Sequence, residues 1–261
     1  MKLIIKKIIN KFLNIFNLEL IKKNNMGLID KSSLIPFQKT NKNYNLYYEG
    51  LKKSENIHTD HLWKQSRHLD LLNLVEITLK KEIDGHFAEA GCWKGHSSYM
   101  ISKLISEYLE KHKQKKIEFH IFDSFEGLSE IKDEDTNVKK LGENRADHIR
   151  KQFISDESFL KKKVLKNFDF VKTYKGWIPE KFEKVKNIKF SFIHIDVDLY
   201  EPTKQSLEFF FPRLVDGGII ICDDYNQFEF DGAKKAWDDF FLEKKVNLNF
   251  APALGSSFII K

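Results

Sequence analysis

The stretch FAEAGCWKGHSS at residues 87–98 decides the fold class of this chain. It begins as a short run typical of a β-strand, turns through Gly91 and Gly95, and continues at Ser97 into a segment of helical composition. Glycines at such a turn let the backbone approach a ligand closely, and the start of the helix offers free amide donors. A glycine pair of this kind is often only structural, so the stretch predicts a strand, a turn and a helix before it predicts a ligand.

Four further β-type runs alternate with segments of helical composition. They are IEFHIFD (117–123), FDFVKTY (168–174), KFSFIHID (189–196) and GGIIICD (217–223). Strands separated by helices predict a parallel sheet with right-handed crossovers. Two closing runs, VNLNF (246–250) and SSFIIK (256–261), predict an antiparallel pair at the sheet edge. The predicted fold class is α/β, with a doubly wound, mostly parallel sheet of seven strands and an N-terminal helical extension.

The segments between these runs define the domain organisation. Residues 24–60 show little periodicity and are interpreted as a linker or cap, and a helix is predicted over 61–81. The charged stretch 129–158 interrupts the alternation and predicts a helical insertion over the edge of the site. GAKKAWDDFF at 232–241 predicts another helix. The α/β domain is therefore expected to span residues 61–261.

Residues 1–23 form a separate segment with six lysines and one glutamate, and so carry most of the formal charge of +6. Their apolar and basic residues fall on opposite faces of a predicted amphipathic helix. The lysines break every apolar run short of the ~20 residues that a membrane span requires. Two alternatives stay open for this helix. It could make peripheral contact with an anionic membrane surface, or pack on its own domain, a partner chain or a second copy in a homo-oligomer.

Length, charge and cysteine content limit the class of function. A chain of 261 residues has room for one catalytic domain with an extension. Outside residues 1–23 the charge is nearly balanced, which argues against a nucleic-acid substrate. Cys92 and Cys222 lie in apolar runs and are expected to be free thiols in a reducing cytoplasm. The protein is therefore expected in the cytoplasm, and at the inner face of the membrane if the basic helix binds there.

Acidic side chains end three of the predicted strands. In open α/β sheets ligands bind at the carboxyl ends of the strands, so these positions carry the chemistry. Asp123 ends the second run, where a carboxylate can accept the hydroxyls of a ribose. The third glycine of a dinucleotide-binding turn is missing, so a nicotinamide cofactor fits poorly. Asp196, Asp223 and Asp224 end two later runs, and three converging acids predict a site for Mg²⁺ or another hard divalent cation.

These residues lie in blocks that resemble the macrocin O-methyltransferase (TylF-type) family. The resemblance covers roughly residues 60–245 and is carried by AEAGCWKGHSS, FDSFEGLSE and the long block HIDVDLYEPTKQSLEFFFPRLVDGGIIICDDYN. It implies a Rossmann-like class I methyltransferase that uses S-adenosylmethionine. It also implies a site for that cofactor and a magnesium site at Asp196, Asp223 and Asp224. The cofactor site would comprise Glu89, Gly91, Gly95, Ser97, Asp123 and Ser124.

The resemblance implies methyl transfer to a hydroxyl of a sugar or glycoside, in glycan or secondary-metabolite biosynthesis. A divalent cation at the acids would lower the pKa of the acceptor hydroxyl and hold it in place. Related catechol methyltransferases carry a lysine three positions beyond the first metal ligand, where this chain has Leu199. Asp196 is therefore expected to be the catalytic base, with Asp198 and His194 as alternatives. The competing hypothesis is a non-catalytic S-adenosylmethionine-binding or membrane-recruited interaction protein.

Overall fold

The computed structural model describes residues 42–244 and 255–261, and the backbone of two short strands, β1 (Leu18–Leu20) and β2 (Leu28–Asp30). These two strands pair antiparallel. The predicted N-terminal helix is therefore wrong over residues 18–20, where Leu-Glu-Leu alternates with the period of a strand. The rest of the predicted helix and the predicted strand at 246–250 lie outside the described residues.

A six-stranded sheet forms the centre of the molecule. Its strands are β3 (His86–Ala90), β4 (Phe119–Asp123), β5 (Val171–Lys175), β6 (Phe190–Ile195), β7 (Leu214–Cys222) and β8 (Ser257–Ile260). Their order is β5-β4-β3-β6-β7-β8; the first five strands run parallel, and β8 pairs antiparallel with β7. The predicted doubly wound, mostly parallel α/β sheet is confirmed, with six strands in the described part of the chain where seven were predicted.

Helices cover both faces of this sheet. They are α1 (Lys42–Lys53), α2 (Leu62–Lys80), α3 (His96–Lys111), α4 (Thr136–Lys139), α5 (Glu143–Gln152), α6 (Glu157–Phe159), α7 (Tyr200–Phe210) and α8 (Asp231–Lys244). Shorter 3₁₀ turns lie at Ile57–Thr59, Glu180–Val185 and Phe211–Arg213, and a π-helical turn lies at Leu160–Val164. The neighbouring residues Phe192 and Ile193 of β6 enter two different cores, one under α1–α3 and one under α7 and α8. The strand is therefore buried on both faces, as a central parallel strand must be.

Helix α1 replaces, over residues 42–53, the irregular linker or cap predicted for residues 24–60. Its buried residues follow the spacing i, i+3, i+4, i+7 and i+8 of one helical face, and they are Asn43, Leu46, Tyr47, Gly50 and Leu51. The surrounding Asn and Lys residues obscured this period in the sequence. The helix packs on α2 and α3, so this part of the predicted linker or cap belongs to the α/β domain.

The predicted helical insertion is confirmed. Helices α4 and α5 place Val138 and Ile149 in a small core with Leu199 and Phe230, beside the carboxyl ends of the strands. Both cysteines are buried and free, as predicted. Among the helices that the structure describes, none is both long and apolar enough to cross a membrane.

Candidate active site

The turn after β3 lies in direct contact with the end of β6. Gly91 has a φ of +81°, and a Cβ built there would lie 1.8 Å from the carbonyl oxygen of Asp196. The amide of Asp196 donates to the carbonyl of Ala90 at 2.8 Å. A side chain at position 91 is therefore excluded by both backbone conformation and space. This contact joins the glycine turn to the first of the predicted acids.

Asp123 holds the same turn from the other side. Its Oδ2 accepts hydrogen bonds from the amides of Cys92 at 2.7 Å and Trp93 at 2.9 Å, and its Oδ1 accepts from Phe125 at 2.7 Å. Burial raises the pKa of the Asp123 carboxyl above its ordinary value, although these amides favour the charged form. Asp123 and Ser124 both line the cavity described below. The carboxylate thus shapes the turn at the place where the sequence predicted a ribose contact.

Glu89 lies away from the cavity wall and is fully buried. Its carboxylate accepts hydrogen bonds from Ser98 and, at 3.0 Å, from Nδ1 of His194. Burial would lower the pKa of His194, but the carboxylates of Asp223 and Glu89 raise it to about 10. His194 thus lies between two acids, with Nδ1 facing Glu89 and Nε2 3.7 Å from Oδ1 of Asp223, and Glu89 lies behind the cavity wall. The roles predicted for them, an alternative base and a cofactor contact, stay predictions. Gly95, also predicted to contact the cofactor, packs on Leu160 instead of lining the cavity.

The three predicted metal ligands do converge. Asp196, Asp223 and Asp224 each offer an oxygen atom, and these atoms lie within 4.8 Å of one another. Burial raises the pKa of the Asp196 carboxyl well above its ordinary range, and the charges of the other two acids add to the effect. Burial and Asp223 likewise raise the pKa of Asp224 to about 6. Asp198 adjoins this acid cluster, because its amide donates to Oδ2 of Asp224 at 2.9 Å.

Arg67 of α2 is a functional candidate that the sequence reasoning missed. One guanidinium nitrogen contacts the carboxylate of Asp223 and lies 3.4 Å from Oδ1 of Asp224. Burial alone would raise the pKa of Asp223, but Arg67 and His194 hold it below its ordinary value. Lys64 and His68 belong to the same buried helical face as Leu71, and Arg67, with its side chain 12% exposed, lies beside them. Basic residues on a buried helical stripe were the available signal, because charges there need buried partners.

The glycine turn, Asp123, the acid cluster and Arg67 all line one cavity of about 730 Å³. Predicted residues on its wall are Gly91, Ser97, Asp123, Ser124, Asp196, Asp223 and Asp224. The wall also includes the aromatic side chains of Trp93, Phe153, Trp177 and Phe230 and the polar side chains of Asn56, Lys64, His68 and His96. A concave, mostly apolar site with a few convergent polar groups is typical of a small-molecule pocket.

A second group of potential ligands, His86, Glu118 and His120, lies at the opposite, amino end of β3 and β4. Nδ1 of His86 accepts a hydrogen bond from the backbone amide of Glu118 at 2.9 Å. The other ring nitrogen of a neutral His86 therefore carries the proton and has no lone pair for a metal ion. This arrangement stabilises the strand ends and is not interpreted as a second metal site.

The strand order and the glycine turn at the sheet's switch point define a doubly wound, Rossmann-like fold. Two solved structures share it. The O-methyltransferase NovP has a TM-score of 0.58 and 21% identity, covering 74% of this chain and 78% of that chain. The calicheamicin methyltransferase CalS11 has a TM-score of 0.59 and 19% identity, covering 92% of this chain and 99% of that chain.

The chain belongs to the macrocin O-methyltransferase (TylF) family, whose profile matches residues 55–252. A similar protein from Streptomyces olivaceus, 8-demethyl-8-(2,3-dimethoxy-alpha-L-rhamnosyl)-tetracenomycin-C 4'-O-methyltransferase, is 27% identical over 58% of this chain. Demethyldecarbamoylnovobiocin O-methyltransferase from Streptomyces niveus is 24% identical, also over 58% of this chain. The matched regions span 57% and 56% of the lengths of these two relatives.

Proposed function

We propose that this protein is an S-adenosylmethionine-dependent O-methyltransferase that methylates a hydroxyl of a sugar or glycoside in glycan or secondary-metabolite biosynthesis. The observation that carries the proposal is the contact between Gly91 and Asp196. It brings the turn suited to a methyl donor and the acid cluster suited to an activated hydroxyl into one cavity. Family membership and the two curated relatives, both named as O-methyltransferases, support the same reaction.

The donor would lie along the glycine turn, with Ser97, Asp123 and Ser124 on the surrounding wall. S-adenosylmethionine supplies a methyl group that is already activated by its sulfonium. The protein's task is then to align an oxygen with that methyl group and to help the oxygen lose its proton. Trp93 and Trp177 line the cavity and offer apolar surface to the rings of donor or acceptor while they exclude water.

The acid cluster fits a hard divalent cation. Oδ1 of Asp223 is buried and accepts no hydrogen bond from the described residues, and Nε2 of His194 lies 3.7 Å from it. Carboxyl groups also outnumber the cations, since Lys64, Arg67 and His194 lie near five acids: Glu89, Asp196, Asp198, Asp223 and Asp224. A divalent cation, Mg²⁺ by its preference for oxygen ligands, would balance the surplus and, when bound, would acidify an acceptor hydroxyl. Asp196, Asp223 and Asp224 would hold it.

Two carboxylates can accept the proton of the acceptor. Asp196 was predicted as the base and lines the cavity. Asp198 lines it as well, and its φ of +62° is unusual for a residue with a side chain. Backbone conformations of this kind occur at sites where geometry is held for function. We therefore propose that Asp196 accepts the proton and that Asp198 is the alternative.

The test combines donor binding and turnover. Calorimetry should detect binding of S-adenosylhomocysteine, the product of the donor, to the full chain both in EDTA and in Mg²⁺. Methyl transfer from S-adenosylmethionine to a panel of nucleotide sugars and glycosides should require the divalent cation. Donor binding without turnover on any acceptor would favour the non-catalytic alternative, and turnover unaffected by EDTA would overturn the metal assignment.

A further inference from the structure

One end of the cavity is lined by four polar side chains that the proposed reaction does not use. Asn56, Lys64, His68 and His96 come from the residues around the turn Ile57–Thr59, from α2 and from the first residue of α3. None is more than 8% exposed. Polar groups this deeply buried normally have hydrogen-bond partners, so those that lack one point to a bound ligand.

Lys64 is a buried cation on which the charges of Asp196, Asp223 and Asp60 act without direct contact. Its Nζ donates to the hydroxyl of Thr59 at 2.6 Å, and no carboxylate in the described part of the chain forms an ion pair with it. Two of its three N–H groups are left for other acceptors. Burial, reinforced by the charge of Arg67, lowers the pKa of Lys64 to about 8. An anion in the cavity would relieve this cost.

The two imidazoles offer lone pairs. His96 Nε2 lies 2.9 Å from the carbonyl oxygen of Tyr47, and His68 Nδ1 lies 2.9 Å from that of Lys64. A carbonyl only accepts, so each of these nitrogens carries the ring proton. Burial holds the pKa of both rings well below the usual range, so the rings are neutral and their remaining nitrogens are acceptors. Nδ1 of His96 is buried and unpartnered in the described structure.

These groups form one continuous surface. The rings of His68 and His96 stack with their centroids 4.4 Å apart, and His96 directly follows the glycine turn. Thr59, which holds Lys64, donates to the carbonyl oxygen of Asn56 at 2.8 Å. Both polar atoms of the Asn56 side-chain amide are buried without a partner among the described residues. The surface therefore combines a cation with neutral donors and acceptors.

A zwitterionic α-amino acid matches this combination, and a phosphate does not. A carboxylate satisfies the free N–H groups of Lys64, and an adjacent ammonium donates to the imidazole lone pairs. The charged oxygens of a phosphate only accept hydrogen bonds. A phosphate would therefore leave the imidazole lone pairs of His68 and His96 without a donor, or facing another acceptor. The surface also continues from the turn along which the donor would lie. It therefore suits the amino-acid end of the donor better than an anionic acceptor.

We propose that Lys64 binds the carboxylate of S-adenosylmethionine and that His68 and His96 accept hydrogen bonds from its ammonium group. The proposal rests on the proposed function, because it assumes that the donor occupies this cavity. It assigns Lys64 to donor recognition and leaves the chemical step to the acid cluster.

The test compares S-adenosylhomocysteine with its decarboxylated analogue, which keeps the amine. Removing one charged hydrogen-bond partner costs roughly 10- to 100-fold in affinity. We therefore expect Lys64→Met to weaken binding of S-adenosylhomocysteine by that factor and to change binding of the analogue by less than about twofold. Lys64→Arg should restore most of the preference for the carboxylate. Lys80→Met, on an exposed position of the same helix, is the matched control.

Several outcomes would contradict the assignment. Equal loss of both ligands in Lys64→Met would make the lysine structural, as would an unchanged affinity for S-adenosylhomocysteine with a lowered melting temperature. A raised acceptor KM with unchanged donor affinity would assign Lys64 to an anionic acceptor. If the unmodified protein binds neither ligand, the proposed function itself fails, and that result is distinct from a failure confined to Lys64.

Discussion

Arg67 and Asp223 are 156 positions apart in the chain, yet the guanidinium of one contacts the buried carboxylate of the other. Helix α2 thus supplies a cation to an acid cluster built from the ends of β6 and β7. The pair compensates part of the negative charge that the sheet concentrates at this edge.

Replacing Arg67 by Met should destabilise the protein and make it depend on divalent cations. Breaking a buried ion pair by removing one partner costs about 3–5 kcal/mol, because the other charge stays buried. Urea unfolding should therefore show a loss of this order in EDTA and a larger stabilisation by Mg²⁺ than in the unmodified protein. Arg145→Met, at an exposed position, is the control. Equal stability of Arg67→Met and the control would refute the pairing.

Asp196→Asn should abolish turnover and leave donor binding largely intact. The substitution removes a carboxylate from the acid cluster. It leaves the glycine turn unchanged, because Gly91 faces the backbone carbonyl of Asp196 and not its side chain. Loss of a group that only supports a metal ligand lowers activity by up to ~100-fold. Because Asp196 is the proposed ligand itself, we expect kcat/KM to fall at least ~100-fold. Methyl-transfer assays and titration with S-adenosylhomocysteine check both parts. Tenfold weaker donor binding with normal turnover would contradict the assignment.

Asp123→Ala should weaken both the fold and the affinity for the donor. It removes the acceptor for the amides of Cys92, Trp93 and Phe125, and each buried unpaired amide costs about 1–3 kcal/mol. The KM for S-adenosylmethionine should rise with the loss of the turn's shape. Denaturant unfolding and donor titration should be measured on the same preparation. Lower stability with unchanged donor affinity would reduce Asp123 to a structural role.

Gly91→Ala should be far more damaging than Gly142→Ala. Both glycines have φ near +80°, so both variants carry backbone strain, and Gly142, with a ψ of 157°, occupies a region that is essentially restricted to glycine. Only the Cβ at position 91 meets a backbone oxygen at 1.8 Å, whereas nothing lies within 4 Å at position 142. Urea unfolding of the two variants measures the difference in unfolding free energy, to which the steric overlap at position 91 contributes. Similar losses would show that the contact between Gly91 and Asp196 is not tight.

Stability should fall in acid in part through His120. Burial lowers the pKa of this ring to about 4, so the folded protein keeps it neutral while the unfolded chain takes up a proton below pH ~6.5. This contribution is complete above pH ~6.5 and is lost as the pH falls towards 4. The unfolding free energy of His120→Gln should therefore decline less across that window. The exposed His148→Gln variant serves as the control, and parallel curves for both variants would disprove the effect.

The main elements of the sheet could be predicted because strands and turns are local patterns. The alternating runs around Asp123 and Asp196 and the glycines after β3 marked both the strands and their functional ends. Helix α1 was missed because its apolar residues are few and its period is diluted by polar ones. Glu89 was predicted at the cofactor from the family resemblance, and strand alternation turns its side chain into the interior.

Sequence alone determined the fold class and the convergence of Asp196, Asp223 and Asp224, because parallel strands end at one edge and short-range patterns locate those ends. Only the tertiary structure showed which basic side chains lie beside the acid cluster and which side chains complete the wall of the cavity. Arg67 and Lys64 reach the site from a helix more than a hundred residues away in the chain. No local pattern encodes such a contact, since it depends on how the helix packs against the finished sheet.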